Sequence, residues 1–315
     1  MATYITIDGG TTNTRISLVC DGCIKQTLKI NIGAQKSIEG TKPLRQALKD
    51  AIASLLTANS LAEQDVCRIL ASGMITSEFG LCKLDHIAVP AGLCELSNAT
   101  HEVVLEDISS IPFVFVRGVK SVSQDIGGTD MMRGEETELM GIIEPSHGEC
   151  IYVLPGSHSK IIRCDDRGRI TAFSTLLTGE MLFALSQNTI LKDAVDFSID
   201  ECDTDFLLQG YHYAETKGIS EGLFKVRVLK NLFGTNPAEV YSFYMGVVLQ
   251  PEIKRIAEYG IPKVIIGGKK QLRSAMYAIL SEVSSMNVIS LKDEDVEISV
   301  PRGLIRIYEN KMHSV

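Results

Sequence analysis

The chain has 315 residues, a length that favours two domains with a cleft between lobes, and its 45% hydrophobic and 22% charged residues are ordinary for a soluble protein. Its formal charge of −8 argues against a nucleic-acid surface, and no apolar run reaches the length of a membrane span. The first apolar stretch contains Asp8 and has no basic segment ahead of it, so it does not read as a signal peptide. A cytoplasmic protein acting on a small molecule is expected.

Residues 3 to 8, 15 to 20 and 23 to 30 read as three strands of an antiparallel meander. Asp21-Gly22 marks the second turn, so the flanking Cys20 and Cys23 read as a hairpin corner rather than a zinc or thiol-exchange pair. The eight cysteines are otherwise scattered, as reduced and mostly buried thiols are. "KPLRQALKDAIASLL" predicts a helix over about 42 to 57, with Pro43 in its first turn. A strand near 66 to 71, a short helix-like piece in "GMITSEFGL" and a strand over 113 to 119 follow. Gly127 and Gly128 break the chain before a helix running to about Ile143.

The opening pattern then returns in "CIYVLPGSHSKIIRCDDRGRITAFSTL". Gly10 and Gly156 are 146 residues apart, as are Gly22 and Gly168, so one meander unit occurs twice. Helical patterns dominate 178 to 259, with Pro251 expected to end or kink the last of them, and "KVIIGGKKQLRSAMYAIL" reads as a buried strand, a Gly-Gly turn and a helix.

The surplus of residues in "DGGTTNTR" is the first chemical signal. Gly10, Thr11, Thr12 and Asn13 offer close backbone N–H groups and hydroxyls to phosphate oxygens, while Asp8 at the strand end suits Mg²⁺, which takes a carboxylate, waters and phosphates. An isolated D-G-G-T is equally a solvated bend. The repeat favours phosphate, because Gly156, Ser157, His158, Ser159 and Lys160 again supply glycine, hydroxyls and a cation, so that two loops could pinch one polyphosphate. Leu154 stands where Asp8 would be, so only the first loop has a metal-side carboxylate. Gly267 and Gly268 would let a flat ring such as adenine lie against backbone.

These loops, in this order, resemble those of the actin, hexokinase and heat-shock ATPase superfamily. More narrowly, "DGGTTNTR", "GMITS", "DMMRGEET", "LPGSHSK" and "LLTGEMLFAL" resemble the 2-dehydro-3-deoxygalactonokinase family over nearly the whole chain. The resemblance implies an α/β, two-lobed ribonuclease H-like fold with duplicated β-sheet domains and a central cleft. Residues 1–143 would carry the first phosphate loop, the sugar-acid side and the base, and residues 144–315 the second phosphate loop and the adenosine site. It further implies ATP and Mg²⁺ as cofactors and phosphorylation of the C6 hydroxyl of 2-dehydro-3-deoxy-D-galactonate, with a homo-oligomer left open. Asp130, expected at the start of the helix before the second loop, would be the catalytic base, with Glu135 and Glu136 as rivals of which at most one faces the cleft.

Gly73, Met74 and Ser77 match the family's sugar-side loop, although Glu78 and Phe79 stand where Gln and Trp are expected, and the chain has no Trp. That departure bears on the sugar more than on the reaction. A substrate carboxylate calls for a cation, and Arg15, Arg117 and Arg133 lie near the candidate loops, with Arg133, beside the proposed base Asp130, the best placed. The rival readings are another kinase of the same fold, such as a type III pantothenate kinase, a superfamily phosphatase, and a non-catalytic sensor. The missing nucleophile elbow, and neighbouring side chains pointing to opposite faces, argue against a Ser-His hydrolase built on His158.

Overall fold

The structure, a computed structural model, describes residues 2–37 and 40–313. It divides into two compact units: Met1–His147 with Arg167–Ala172 and Glu294–Val315, and Gly148–Asp166 with Phe173–Asp293.

The first unit begins with the predicted meander of β1 (Thr3–Gly9), β2 (Thr14–Cys20) and β3 (Cys23–Ile30). Asp21 and Gly22 both have positive φ, 51° and 75°, the pair of left-handed residues that a tight hairpin requires. Helix α1 (Lys42–Ala58), with Pro in its first turn, leads to β4 (Arg68–Gly73). Then come β5 (Ile87–Ala88), α2 (Leu93–Asn98), β6 (His101–Leu105), β7 (Ser109–Phe115), β8 (Val119–Ser121), β9 (Asp130–Met132) and α3 (Glu135–Ile142). The main sheet has the order β3-β2-β1-β4-β7-β6, with β1 antiparallel to β2 and parallel to β4; β5, β8 and β9 form a small separate sheet. Tyr4, Ile5, Thr6 and Ile7 are all buried because β1 is covered on both faces, which is why this strand reads as a continuous apolar run. Edge strand β3 instead alternates, with Lys25 and Lys29 facing out.

The second unit repeats the plan. Strands β10 (Cys150–Leu154), β11 (Ser159–Cys164) and β12 (Ile170–Leu176) form the meander. Helices α4 (Thr178–Asn188), α5 (Thr204–Lys217), α6 (Ile219–Val228) and α7 (Pro237–Glu258) follow. The unit continues with β13 (Lys263–Ile266), α8 (Lys270–Val283) and β14 (Asn287–Ser290). The sheet order β12-β11-β10-β13-β14, with β10 antiparallel to β11 and parallel to β13, reproduces β3-β2-β1-β4-β7. The repeat is not residue for residue: Asp8 faces Arg15 across its hairpin, whereas Leu154 faces Lys160, so the second loop is one residue shorter. Pro251 does not end α7, which continues through it to Glu258. Among the described residues no helix is long and apolar enough to cross a membrane.

After α9 (Asp293–Glu297), α10 (Ser299–His313) returns to the first unit. It packs on α3, where a side chain at Gly141 would lie 1.8 Å from the Ser299 carbonyl and one at Gly303 1.9 Å from that of Thr137. Tyr308 meets Tyr4 edge-to-face at 5.8 Å. The first unit thus takes in the C-terminal helix as well as the N-terminal half, a return that a linear division at 143/144 does not express. A second correction concerns 129–134: the helix expected directly after the Gly127-Gly128 break starts late, since the glycines end a single 3₁₀ turn at Ile126–Gly128, β9 follows, and α3 begins only at Glu135. Asp130 thus lies on a short strand, not at a helix start.

Candidate active site

In the first unit three glycines bring three chain segments together. A side chain on Gly9 would meet Ile75 Cβ at 2.7 Å, one on Gly73 would lie 2.5 Å from the Gly9 carbonyl, and one on Gly134 3.2 Å from Gly73 Cα. Gly73 and Gly134 also have φ of +84° and +114°, which glycine alone adopts without strain. The end of β1, the 74–77 turn and the start of α3 are thereby stacked backbone on backbone.

At this junction Asp8 is recessed, about a third of its side chain remaining exposed, with Arg15 Nη1 at 4.0 Å. Burial raises its carboxyl above the usual range; the Arg15 charge opposes this and the Glu135 carboxylate adds to it. The following loop is closed by Gly10 N–H donating to the Asn13 carbonyl at 2.9 Å, and Gly33 lies so close that its Cβ would be 2.5 Å from the Gly10 carbonyl oxygen. Thr11 and Thr12 remain exposed, and Asn13 Nδ2 donates to Thr12 Oγ1. Among the described residues no group of three or more His, Cys, Asp or Glu could hold a metal by itself.

Met74–Thr76 form one 3₁₀ turn; the Ser77 hydroxyl donates to the Met74 carbonyl at 2.7 Å, and Glu78 pairs with Lys83 at 3.6 Å. Asp130 is half-buried, its Oδ1 accepting the Met131 N–H at 2.7 Å. Of the two rival acids, Glu136 is wholly buried: both its oxygens accept the Gly134 N–H, at 2.9 and 2.8 Å. Burial and then the Glu135 charge push Glu136 up to about 8, against the hydrogen bonds it accepts. Glu135 is half-buried and accepts the Arg133 N–H.

Arg133 is more committed to structure than its neighbourhood suggested. Its Nη1 donates to the Thr76 carbonyl and hydroxyl at 2.7 and 2.6 Å, and its Nη2 to the Leu84 carbonyl and His86 Nδ1 at 3.0 and 3.3 Å. Arg117 donates to the carbonyls of Ala99 and Asp85. His86 is kept neutral-leaning, its pKa lowered by burial and by the charges of Arg133 and Lys120. Arg15 is exposed beside Asp8.

In the second unit the 155–159 turn and the Gly267-Gly268 turn adjoin. Gly267 N–H donates to the Val153 carbonyl at 2.8 Å, Lys269 N–H to that of Pro155 at 3.1 Å, and a side chain at Gly268, φ +66°, would lie 2.4 Å from the Pro155 oxygen. Gly156 is half-exposed; Ser157 and His158 are exposed, and His158 Nε2 pairs with Glu180 Oε1 at 2.9 Å. Ser159 is buried, its hydroxyl accepting the Gly156 N–H at 3.3 Å, and buried Lys160 donates to the His158 carbonyl at 3.2 Å.

The sequence matches the family described as 2-keto-3-deoxy-galactonokinase over residues 8–307. The chain belongs to that family. It is a carbohydrate kinase, and the family's activity, 2-dehydro-3-deoxygalactonokinase, uses ATP. A Rhizobium meliloti protein named probable 2-dehydro-3-deoxygalactonokinase is 28% identical over 266 residues, covering 79% of each chain. A crystal structure from Sinorhizobium meliloti, assigned by name to 2-dehydro-3-deoxygalactonokinase, superposes with a TM-score of 0.77 at 23% identity over 98% of both chains. The activator of the 2-hydroxyisocaproyl-CoA dehydratase from Clostridium difficile shares the fold at a TM-score of 0.51 and 14% identity, covering 99% of this chain and 96% of its own. The α/β fold with duplicated sheets is thus shared with that kinase structure and with the dehydratase activator.

Within this kinase, sequence reasoning passed over His86, which completes the Arg133 cluster, and Thr178 and Glu252, which lie under the second loop. An acid close behind the apolar stretch 243–249 was the available signal for Glu252.

Proposed function

We propose that the chain transfers the γ-phosphate of ATP to the C6 hydroxyl of 2-dehydro-3-deoxy-D-galactonate in the cytoplasm. The observation that carries the reading is the recessed Asp8 carboxylate at the end of β1, beside an exposed Gly-Thr loop, in a chain matched by this kinase family from residue 8 onward. Phosphoryl transfer demands positioning and charge neutralisation more than covalent chemistry. Asp8 suits Mg²⁺: it is a hard oxygen donor whose pKa is raised by burial and by a neighbouring carboxylate, a negative field that a divalent cation would relieve. Mg²⁺ supplies charge neutralisation of the phosphates when bound. A site with one protein carboxylate is ordinary for Mg²⁺, which keeps several waters.

On this reading the Gly10–Asn13 loop of the first unit is a phosphate loop; within the second unit Gly156, Ser157 and His158 form a phosphate loop of their own, with the adjoining Gly267 and Gly268 against the adenosine. Ser159 and Lys160, being buried, support the turn from below. Asp130 orients the C6 hydroxyl and accepts its proton; its bond to the Met131 N–H holds the carboxylate in one direction. Glu136 cannot be the base, since it is buried and occupied by Gly134, and so it steadies the Arg133–Glu135 segment. Met74, Ser77 and Glu135 line the sugar-acid side. Arg117 and Arg133 supply positive charge for the substrate carboxylate, with Arg133 also holding the 76–86 loop.

The test is a panel of 2-keto-3-deoxy sugar acids assayed for ADP release with the native protein and with Asp130→Asn. ADP release should require the sugar acid, and the variant should lose about 10²- to 10⁴-fold in kcat while sugar-acid binding persists. Equal phosphate release without any sugar acid would make the protein a hydrolase, and a variant as fast as the parent would remove Asp130 from the mechanism.

A further inference from the structure

Beneath the 155–159 turn lies an acid that the chemistry above leaves idle. Glu252, next to Pro251 inside α7, is wholly buried, and its Oε2 accepts the Thr178 hydroxyl at 2.5 Å. Its Oε1 has no hydrogen-bond partner among the described residues. Burial pushes this carboxyl up to about 7, and the hydroxyls of Thr178 and Ser159 pull against that rise. A wholly buried carboxyl with an orphan oxygen costs stability, and an apolar residue of the same size would avoid that cost.

What the acid touches suggests why it is there. Thr178 opens α4, and Ser159 closes the turn by accepting the Gly156 N–H. The two walls are also joined directly: the Glu180 N–H donates to the Ser157 carbonyl at 3.2 Å, and a side chain on Gly179 would lie 2.3 Å from the Gly156 oxygen. Glu252 therefore sits under the point where the glycine turn and the N-terminus of α4 meet, both of them sources of backbone N–H groups. Charged side chains on the turn, β11 and α4 include Lys160, which donates to the His158 carbonyl, and the exposed His158–Glu180 pair. Burial and the two hydroxyls set the balance at Glu252 itself.

We propose that Glu252 is a positioning residue whose protonation is linked to nucleotide binding: as the neutral acid it lets the turn receive phosphate, and as the carboxylate it repels it. This rests on reading the 155–159 turn as a phosphate loop. In a low-dielectric surrounding, a negative charge under an anion site is poorly screened, so an arriving phosphate favours the protonated form. Binding then draws one proton from solvent onto the Glu252 carboxyl, with no other change in bonding.

The experiment is calorimetric titration of the full-length protein with ADP from pH 6 to 9, in buffers of different ionisation enthalpy. Native protein should take up a fraction of a proton near neutral pH beyond that of ADP itself. Its affinity should fall about three- to tenfold relative to Glu252→Gln between pH 6 and 8.5. Glu252→Gln, neutral at every pH, should show no excess uptake. Parallel affinity profiles for the two proteins, or a Glu252→Gln defect equal at all pH values, would overturn the proposal as a merely structural role. Should the variant not fold, the absence of excess proton uptake by native protein would overturn it equally. Ser157→Glu separates the two layers. If it leaves ADP affinity unchanged, the turn is not a phosphate site and both readings fall. If it weakens ADP while native and Glu252→Gln proteins run parallel, only the Glu252 proposal falls.

Discussion

Glu136→Gln exchanges one neutral group for another at neutral pH and removes only the ability to ionise. In the native protein the Glu136 carboxyl titrates at about 8 instead of its ordinary 4.5, because burial and the Glu135 charge oppose ionisation more than the Gly134 N–H favours it. Between these two values the folded protein holds a proton that the unfolded chain has released. Stability from this group is therefore complete below pH 4.5, declines as pH rises, and is gone above about 8. At about 1.4 kcal/mol per pH unit the full decline is of order 5 kcal/mol. Gln cannot ionise, and its carbonyl can still accept the Gly134 N–H, so the variant should be slightly less stable than native at pH 5 and more stable at pH 9. The measurement is the difference in Tm between the two proteins from pH 5 to 9. At 2–4 °C per kcal/mol for a domain of this size, the curves should diverge by roughly 10 °C. Glu252 titrates in both proteins and cancels from the difference. Tm curves that stay parallel across this range would show that Glu136 is ionised in the folded state and that its burial has been misjudged.

Gly73→Ala should destabilise the first unit by roughly 3 kcal/mol or more, since it combines a glycine-only conformation with a Cβ 2.5 Å from the Gly9 carbonyl; thermal unfolding checks it, and a loss below about 1 kcal/mol would contradict the stacked junction. Arg117→Ala should raise KM for the sugar acid about ten- to a hundredfold with kcat largely kept, as expected for one charge-assisted contact to the substrate carboxylate. An unchanged KM would assign Arg117 to holding Ala99 and Asp85 alone. Arg133→Ala should weaken sugar-acid binding and also lower Tm, because the carbonyls of Thr76 and Leu84 lose their donor.

The meander strands, the Asp21-Gly22 turn and α1 were legible because each rests on local signals: apolar runs, a turn dipeptide and Pro in a first helical turn. The duplication was legible from glycine spacing, but not the one-residue difference between the loops, since the compensating residue is added in the turn after β11, ahead of Gly168, and the two matched glycine pairs keep the same spacing. The segment around Asp130 misled for the opposite reason. Its helix-like pattern gives way to β9 because three residues pair with β8, a long-range contact with no local signature.

The sequence alone determined the kinase family, the twinned sheets and the glycine loops, because these depend on residue types at fixed spacing along the chain. Only the tertiary structure decided which charged groups are sheltered. Asp8, Glu136 and Glu252 look alike in one dimension, yet one is recessed at a loop mouth, one is clamped on a backbone N–H, and one is sealed under a turn. Solvent access and neighbouring dipoles set what a carboxyl does, and both arise from segments that meet only on folding.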